Sequence, residues 1–217
     1  MSIKAIIWNN DGVLVDTEKL YFLATQEVLA SVGVQLTEAM YFQLFIVEAR
    51  EAWHLAEKRG LSAAQVASLR GCRDETYRKL IKQECRPLPG VGETLRTLHS
   101  YFRMAVVTRC LSDEFATVHK CTGLLPLFEF VVTREGYDKC TPDPEPYLCA
   151  VERFGLGGEK CLVIEDSERG VRAAKAAGLA CWAVPQSLSR HGSLAGADAV
   201  FGNISEVARE LDRLLLY

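Results

Sequence analysis

The stretch Ile3-Lys4-Ala5-Ile6-Ile7-Trp8-Asn9-Asn10-Asp11-Gly12 decides how the rest of the chain is read. A short β-branched run that stops at a polar, glycine-containing turn is the pattern of a buried parallel strand, so a strand is predicted over residues 3–8. Runs of the same kind recur at 104–108, 128–132, 161–164 and 181–184, with a sixth at 197–201. Helical periodicity fills the intervals at 93–101, 113–122, 146–154, 168–177 and 205–215, and Gly123 and Gly178 stand where helix C-caps belong. Strands alternating with helices imply right-handed crossovers and a mainly parallel α/β sheet covered on both faces.

Between the first and second strands the pattern changes, because nothing from about residue 16 to 85 reads as a strand. Leu20, Ala24 and Val28, flanked by Tyr21, Leu29 and Val32, form one amphipathic helix ended by Gly33; Thr37 caps another, and Ser62 with Gln65 forms a capping box that opens a third. The Arg86-Pro87-Leu88-Pro89-Gly90 stretch reads as the return hinge. The expected architecture is a doubly wound, Rossmann-like core over 1–15 and 87–217 with an inserted all-helical cap over 16–86.

Twenty-five Lys and Arg against 28 Asp and Glu leave a net charge of -3, and no basic stripe interleaved with aromatics occurs, which argues against nucleic acid and a membrane surface as partners. The 8 cysteines show no C-x-x-C pair and no histidine at ligand spacing, so they are expected to be reduced thiols, mostly small core residues. His54, His99, His119 and His191 lack metal spacing and are expected on the surface or on helix faces. The apolar run from Ala5 to Trp8 is too short for a signal-peptide core or a membrane span, and a cytoplasmic monomer is expected.

In an open α/β sheet the ligand lies beyond the carboxyl ends of the strands, and the polar residues gather there: Asn9 and Asp11 after the first strand, Thr108 and Arg109 after the second, Glu165 and Asp166 after the fourth. Adjacent carboxylates at the end of a buried strand are costly unless a cation compensates them, and Mg²⁺ is the usual hard cation for oxygen ligands. A lone acid there reads more simply as a helix cap; acids ending two strands favour the metal. Cys110 and Cys140 fall in loops at the same end, where a thiolate beside Arg109 competes with plain packing.

Trp8-Asn9-Asn10-Asp11-Gly12-Val13-Leu14-Val15-Asp16-Thr17-Glu18 resembles the first motif of the haloacid dehalogenase superfamily, in the branch of β-phosphoglucomutase and small sugar-phosphate phosphatases. Thr108 matches the second-motif hydroxyl, Thr141-Pro142-Asp143-Pro144-Glu145-Pro146-Tyr147 resembles the third motif, and Glu165-Asp166-Ser167 the acidic fourth. The resemblance implies a covalent aspartyl-phosphate route with Mg²⁺ held by the residues at 9, 11, 165 and 166. It also implies Asp11 as general acid and base, Thr108 as a hydroxyl donating a hydrogen bond to phosphate, a cap that closes over the site between hinges at 14–18 and 86–90, and a small phosphorylated metabolite as substrate. Arg109 and Glu18, with Arg50 of the cap, are the residues expected near that substrate.

The sequence also departs from the pattern. The nucleophile position holds Asn9, a poor nucleophile and a weaker metal ligand than Asp. Thr141 stands where the family has Lys, and the nearest cation is Lys139; the stretch Phe45-Ile46-Val47-Glu48-Ala49-Arg50 lacks the Gly and Ser common in the substrate-reading loop. Little or no turnover and weakened Mg²⁺ binding are therefore expected. A naturally silent binding or regulatory protein, an engineered Asp-to-Asn phosphatase, and a site in which Lys139 and Arg109 replace the missing Lys all remain open.

Overall fold

The computed structural model describes residues 3–48, 50–120, 122–185 and 193–215. Ala49, Cys121 and His191 lie outside them. Strand β1 (Ala5–Asn9) is followed by helices α1 (Thr17–Ala30), α2 (Glu38–Tyr41), α3 (His54–Glu57), α4 (Ala63–Glu84) and α5 (Val91–Leu98). Then come β2 (Arg103–Val107), α6 (Ser112–His119), β3 (Phe130–Val132), α7 (Glu145–Phe154), β4 (Cys161–Glu165), α8 (Glu168–Ala176), β5 (Ala180–Ala183), β6 (Ala199–Val200) and α9 (Ile204–Leu215). Chain contacts divide the protein into two units, residues up to Asp16 with those from Arg86 onward, and Thr17–Cys85.

The first unit is an α/β sheet of order β3-β2-β1-β4-β5-β6, every pairing parallel. The order reverses at β1, so the loop after β1 lies at the switch point where doubly wound sheets bind ligands. Alternation of side chains along the strands separates two apolar layers. Ala5 and Ile7 of β1 join Ala105, Val107, Cys161 and Val163 against Tyr147, Ala150 and Phe154 of α7 and Val171, Ala173 and Ala174 of α8. Ile6 and Trp8 join Met104, Val106, Leu162 and Ile164 against Val91, Leu95 and Leu98 of α5, Phe115 of α6, and Val207 and Leu211 of α9.

Local signals explain the element ends. The Ser167 hydroxyl accepts from the Gly170 amide to open α8, and Gly178 adopts φ 73° just past its end. Helix α6 stops at His119 rather than near 122, because the Thr122 amide donates to the His119 carbonyl at 3.2 Å and closes the turn. The run expected from 128 pairs only from Phe130, after a 3₁₀ turn at Leu125–Leu127.

Among its described residues the second unit holds helices joined by loops and no strand. Its capping box at Ser62 and Gln65 and the Thr37 cap are present. The expected loop over 45–50 begins instead inside a π-helical segment, Phe42–Val47, that continues α2 and stacks Phe45 on Tyr41 with ring centroids 4.2 Å apart. Arg73, almost fully buried, lies over the Tyr21 ring, donates to its hydroxyl and pairs with Asp74 at 2.6 Å and Glu51 at 3.4 Å, so its charge is matched inside the bundle.

Candidate functional site

Three strand ends of the first unit bring Asn9, Asp11, Thr108 and Asp166 together. The Asn9 side chain is the centre of the arrangement. Its Nδ2 donates to the Asp11 carbonyl at 2.9 Å and to Asp166 Oδ1 at 3.0 Å, while its Oδ1 accepts from the Asn10 amide at 2.9 Å. The partners fix which end is which: a carbonyl and a carboxylate only accept, and a backbone N–H only donates. Gly12, at φ 78°, lets the loop pass against Asp166; a Cβ there would lie 2.1 Å from Asp166 Oδ2.

Asp11 Oδ2 receives three donors, Asn10 Nδ2 at 3.3 Å, Cys110 Sγ at 3.4 Å and Thr108 Oγ1 at 3.5 Å. Burial raises the Asp11 pKa, and these hydrogen bonds only partly oppose it. Thr108 Oγ1 also accepts from the Cys110 amide at 3.1 Å, and the Thr108 carbonyl accepts from the Tyr137 hydroxyl at 3.0 Å. The Cys110 thiol is pushed far up by burial and by Asp11, so it is held protonated; the activated thiolate is excluded on this geometry.

Glu165, expected beside Asp166 as a metal ligand, points elsewhere. Its Oε1 accepts from the Tyr147 hydroxyl at 2.5 Å, and its Oε2 accepts from the Asp166 amide at 2.9 Å and from the Ser167 amide and hydroxyl at 3.1 Å each. The carboxylate is sealed under α8, where a Cβ on Gly170 would lie 1.8 Å from Oε1. It ties α7 to the β4 end. Among the described residues, no group of three or more His, Cys, Asp or Glu stands where it could hold a metal ion.

Arg109, Lys139 and Thr141 make none of the hydrogen bonds given above. Arg109 is exposed, and its charge is felt at Tyr137. The Lys139 ammonium is largely exposed and lies 3.8 Å from Asp143. Thr141 is half-buried and precedes a cis peptide bond to Pro142. Glu18 and Arg50 belong to the second unit, where Glu18 accepts from the Tyr41 hydroxyl and Arg50 pairs with Glu48 at 3.3 Å.

One histidine narrows the sequence expectation to its second alternative. His119, expected on the surface or on a helix face, lies on the buried face of α6 at 2% exposure, and its Nε2 donates to Asn10 Oδ1 at 2.7 Å while Nδ1 meets Thr122 Oγ1 at 3.0 Å. Asn10 is fully buried and links His119 to Asp11. Phe115, Val118 and His119 share the buried face of α6, so the i, i+4 relation between Phe115 and His119 was the available signal. The described cysteines are free, as expected, but Cys85, Cys161 and Cys181 alone among them are buried and Cys72 is exposed.

The sequence profile of haloacid dehalogenase-like hydrolases matches residues 6–184. A phosphorylated carbohydrates phosphatase from Thermotoga maritima is 31% identical over 200 residues, spanning 91% of this chain and 93% of that protein. The fructose-1-phosphate phosphatase YqaB of Escherichia coli is 28% identical over 178 residues, 80% of this chain and 92% of its own length. The fold is shared with CbbY from Rhodobacter sphaeroides, crystallised with phosphate, at TM-score 0.76 and 24% identity over 94% of this chain and 96% of that one.

Proposed function

Since the chain belongs to the haloacid dehalogenase-like hydrolases, we propose that it keeps the family's core as a binding or regulatory site for small phosphorylated metabolites while turning them over very slowly or not at all. The relatives named above, phosphatases of phosphorylated carbohydrates, supply the ligand class.

The observation that carries the reading is the state of Asn9. The family reaction needs a carboxylate oxygen at this position to attack phosphorus, forming an acyl phosphate as the P–O bond to the leaving group breaks. An amide oxygen is a far weaker nucleophile, and here it already accepts the Asn10 N–H while the amide nitrogen is committed to Asp11 and Asp166. Asp11, buried and with a raised pKa, is suited to protonate a leaving group, and Thr108 to donate to a phosphate oxygen. Neither role replaces the missing attack. Thr141 at the Lys position also removes a fixed positive charge from the phosphate's surroundings, and the exposed Arg109 and Lys139 are cations of the neighbouring loops.

Turnover of a generic aryl phosphate tests this. The unmodified protein is expected at or below detection, Asn9→Asp partially active, and Asn9→Asp with Thr141→Lys more active than the product of the two single effects, since members of one catalytic unit are non-additive. The reading fails if the unmodified protein, with Asn9 verified by mass, works as fast as the double variant.

A further inference from the structure

Haloacid dehalogenase phosphatases generally use Mg²⁺, and the donor set of this chain does not fit it. We infer that the Asn9 amide does the cation's structural work here, so that the site is organised without a divalent metal; this rests on the same reading of Asn9 as the proposed function.

Two oxygens of unlike origin, a backbone carbonyl and a carboxylate, have to be held side by side at the ends of β1 and β4. A bound cation would do this from between them. In this chain the two hydrogens of one NH₂ group do it, at 2.9 Å to the Asp11 carbonyl and 3.0 Å to Asp166 Oδ1. Nitrogen in an amide offers no lone pair to a metal, so the face turned to both oxygens is a donor face. For Asn9 to serve as a ligand its oxygen would have to take that place. Such a flip breaks both of these hydrogen bonds and the one from the Asn10 amide to Oδ1.

Among the described residues, the acid next to Asp166 in the chain does not restore the lost ligand. Mg²⁺ demands near-octahedral oxygen coordination at about 2.0–2.1 Å and favours carboxylates. Glu165 is the neighbouring acid, but its four hydrogen bonds and its packing against Gly170 hold both oxygens away from this task. A neutral amide also lowers the number of carboxylates facing one another, which removes the electrostatic reason for a cation.

The test uses the full chain in Mg²⁺ and in EDTA, with calorimetric titration and thermal unfolding as readouts. The unmodified protein is expected to show no saturable Mg²⁺ binding and the same Tm in both conditions. Asn9→Asp, which exchanges both donors for a carboxylate beside Asp166, is expected to unfold at lower temperature in EDTA and to regain several degrees in Mg²⁺. The inference is overturned if the unmodified protein binds Mg²⁺ within about threefold of the Asn9→Asp affinity, or if neither form binds it. Should Asn9→Asp fail to fold, the free Mn²⁺ resonance signal decides with the unmodified chain: an undiminished signal supports the inference, and a stoichiometric loss that Asp166→Asn abolishes overturns it. Cation binding without turnover removes this inference and leaves the proposed function; turnover without cation binding does the reverse.

Discussion

Replacing His119 with Gln isolates one buried titrating group. His119 is 2% exposed, and burial depresses its pKa from 6.5 to about 4. The unfolded chain therefore takes up a proton near pH 6.5 that the folded chain refuses until about pH 4, and stability falls as pH drops through that window. Each pKa unit corresponds to about 1.36 kcal/mol, so the full depression amounts to roughly 3 kcal/mol, of which about 2 kcal/mol is lost between pH 7.5 and pH 5. Gln keeps an N–H to donate to Asn10 Oδ1 but cannot titrate. Urea unfolding at the two pH values, followed by circular dichroism, reads the effect as a difference between the two proteins, so that carboxylates common to both cancel. The unmodified protein is expected to be the more stable by about 1 kcal/mol at pH 7.5, from the better-fitted hydrogen bond and ring contact with Phe115, and to lose that lead by pH 5. A difference between the proteins that stays constant within about 0.5 kcal/mol across the range would refute the assignment of a neutral, buried His119.

Two further outcomes follow from the sealed acid at the end of β4. Gly170→Ala places a methyl group 1.8 to 2.2 Å from the Glu165 carboxyl atoms, which cannot retreat without giving up their donors; a loss of about 3 kcal/mol is expected in urea unfolding, and a neutral result would mean that Glu165 is free to move. Tyr147→Phe removes the hydroxyl that serves Glu165 Oε1 and should cost about 1–3 kcal/mol. Measured again in a Glu165→Gln background, the same change should cost clearly less, because the two residues are coupled through one hydrogen bond; equal costs would show that they act independently.

The fold was legible because its signals are local and repeated. Each β-branched run ends in a polar turn, and the missing strand between residues 16 and 85 marks the insertion. Side-chain direction was legible in part. Parity along β4 sends Glu165 to the face of Cys161 and Val163, beneath α7 and α8, and Asp166 beyond the strand end. Two adjacent acids invite reading as a pair, yet alternation alone separates them, and Tyr147, quoted within the third motif, supplies the partner. His119 was left between the surface and a helix face for the opposite reason: a polar residue on an apolar helix stripe is not placed inside until its partner is known. That partner, Asn10, is 109 positions away in the chain and meets it only through the crossover of the sheet.

The orientation of Asn9 is the part no sequence pattern carries. Aspartate at this position has two equivalent oxygens, so position alone determines its chemistry; asparagine has a donor end and an acceptor end, and only its neighbours decide which faces the site. Read by itself, the change from Asp subtracts a nucleophile. Set among the Asp11 carbonyl, Asp166 and the Asn10 amide, it adds two donors where negative charge would otherwise need a cation. The same substitution of hydrogen bonds for charge runs through the whole cluster. Glu165 is met by Tyr147, Ser167 and the Asp166 amide, and Asp11 by Asn10, Cys110 and Thr108 as well as by a burial that favours its neutral form. On the proposed reading, Thr141 at the family's Lys position goes with the loss of the carboxylate at position 9 that the Lys would offset. On that reading the two departures from the family pattern compensate one another electrostatically, and restoring Asp at position 9 alone reintroduces a negative charge beside Asp166.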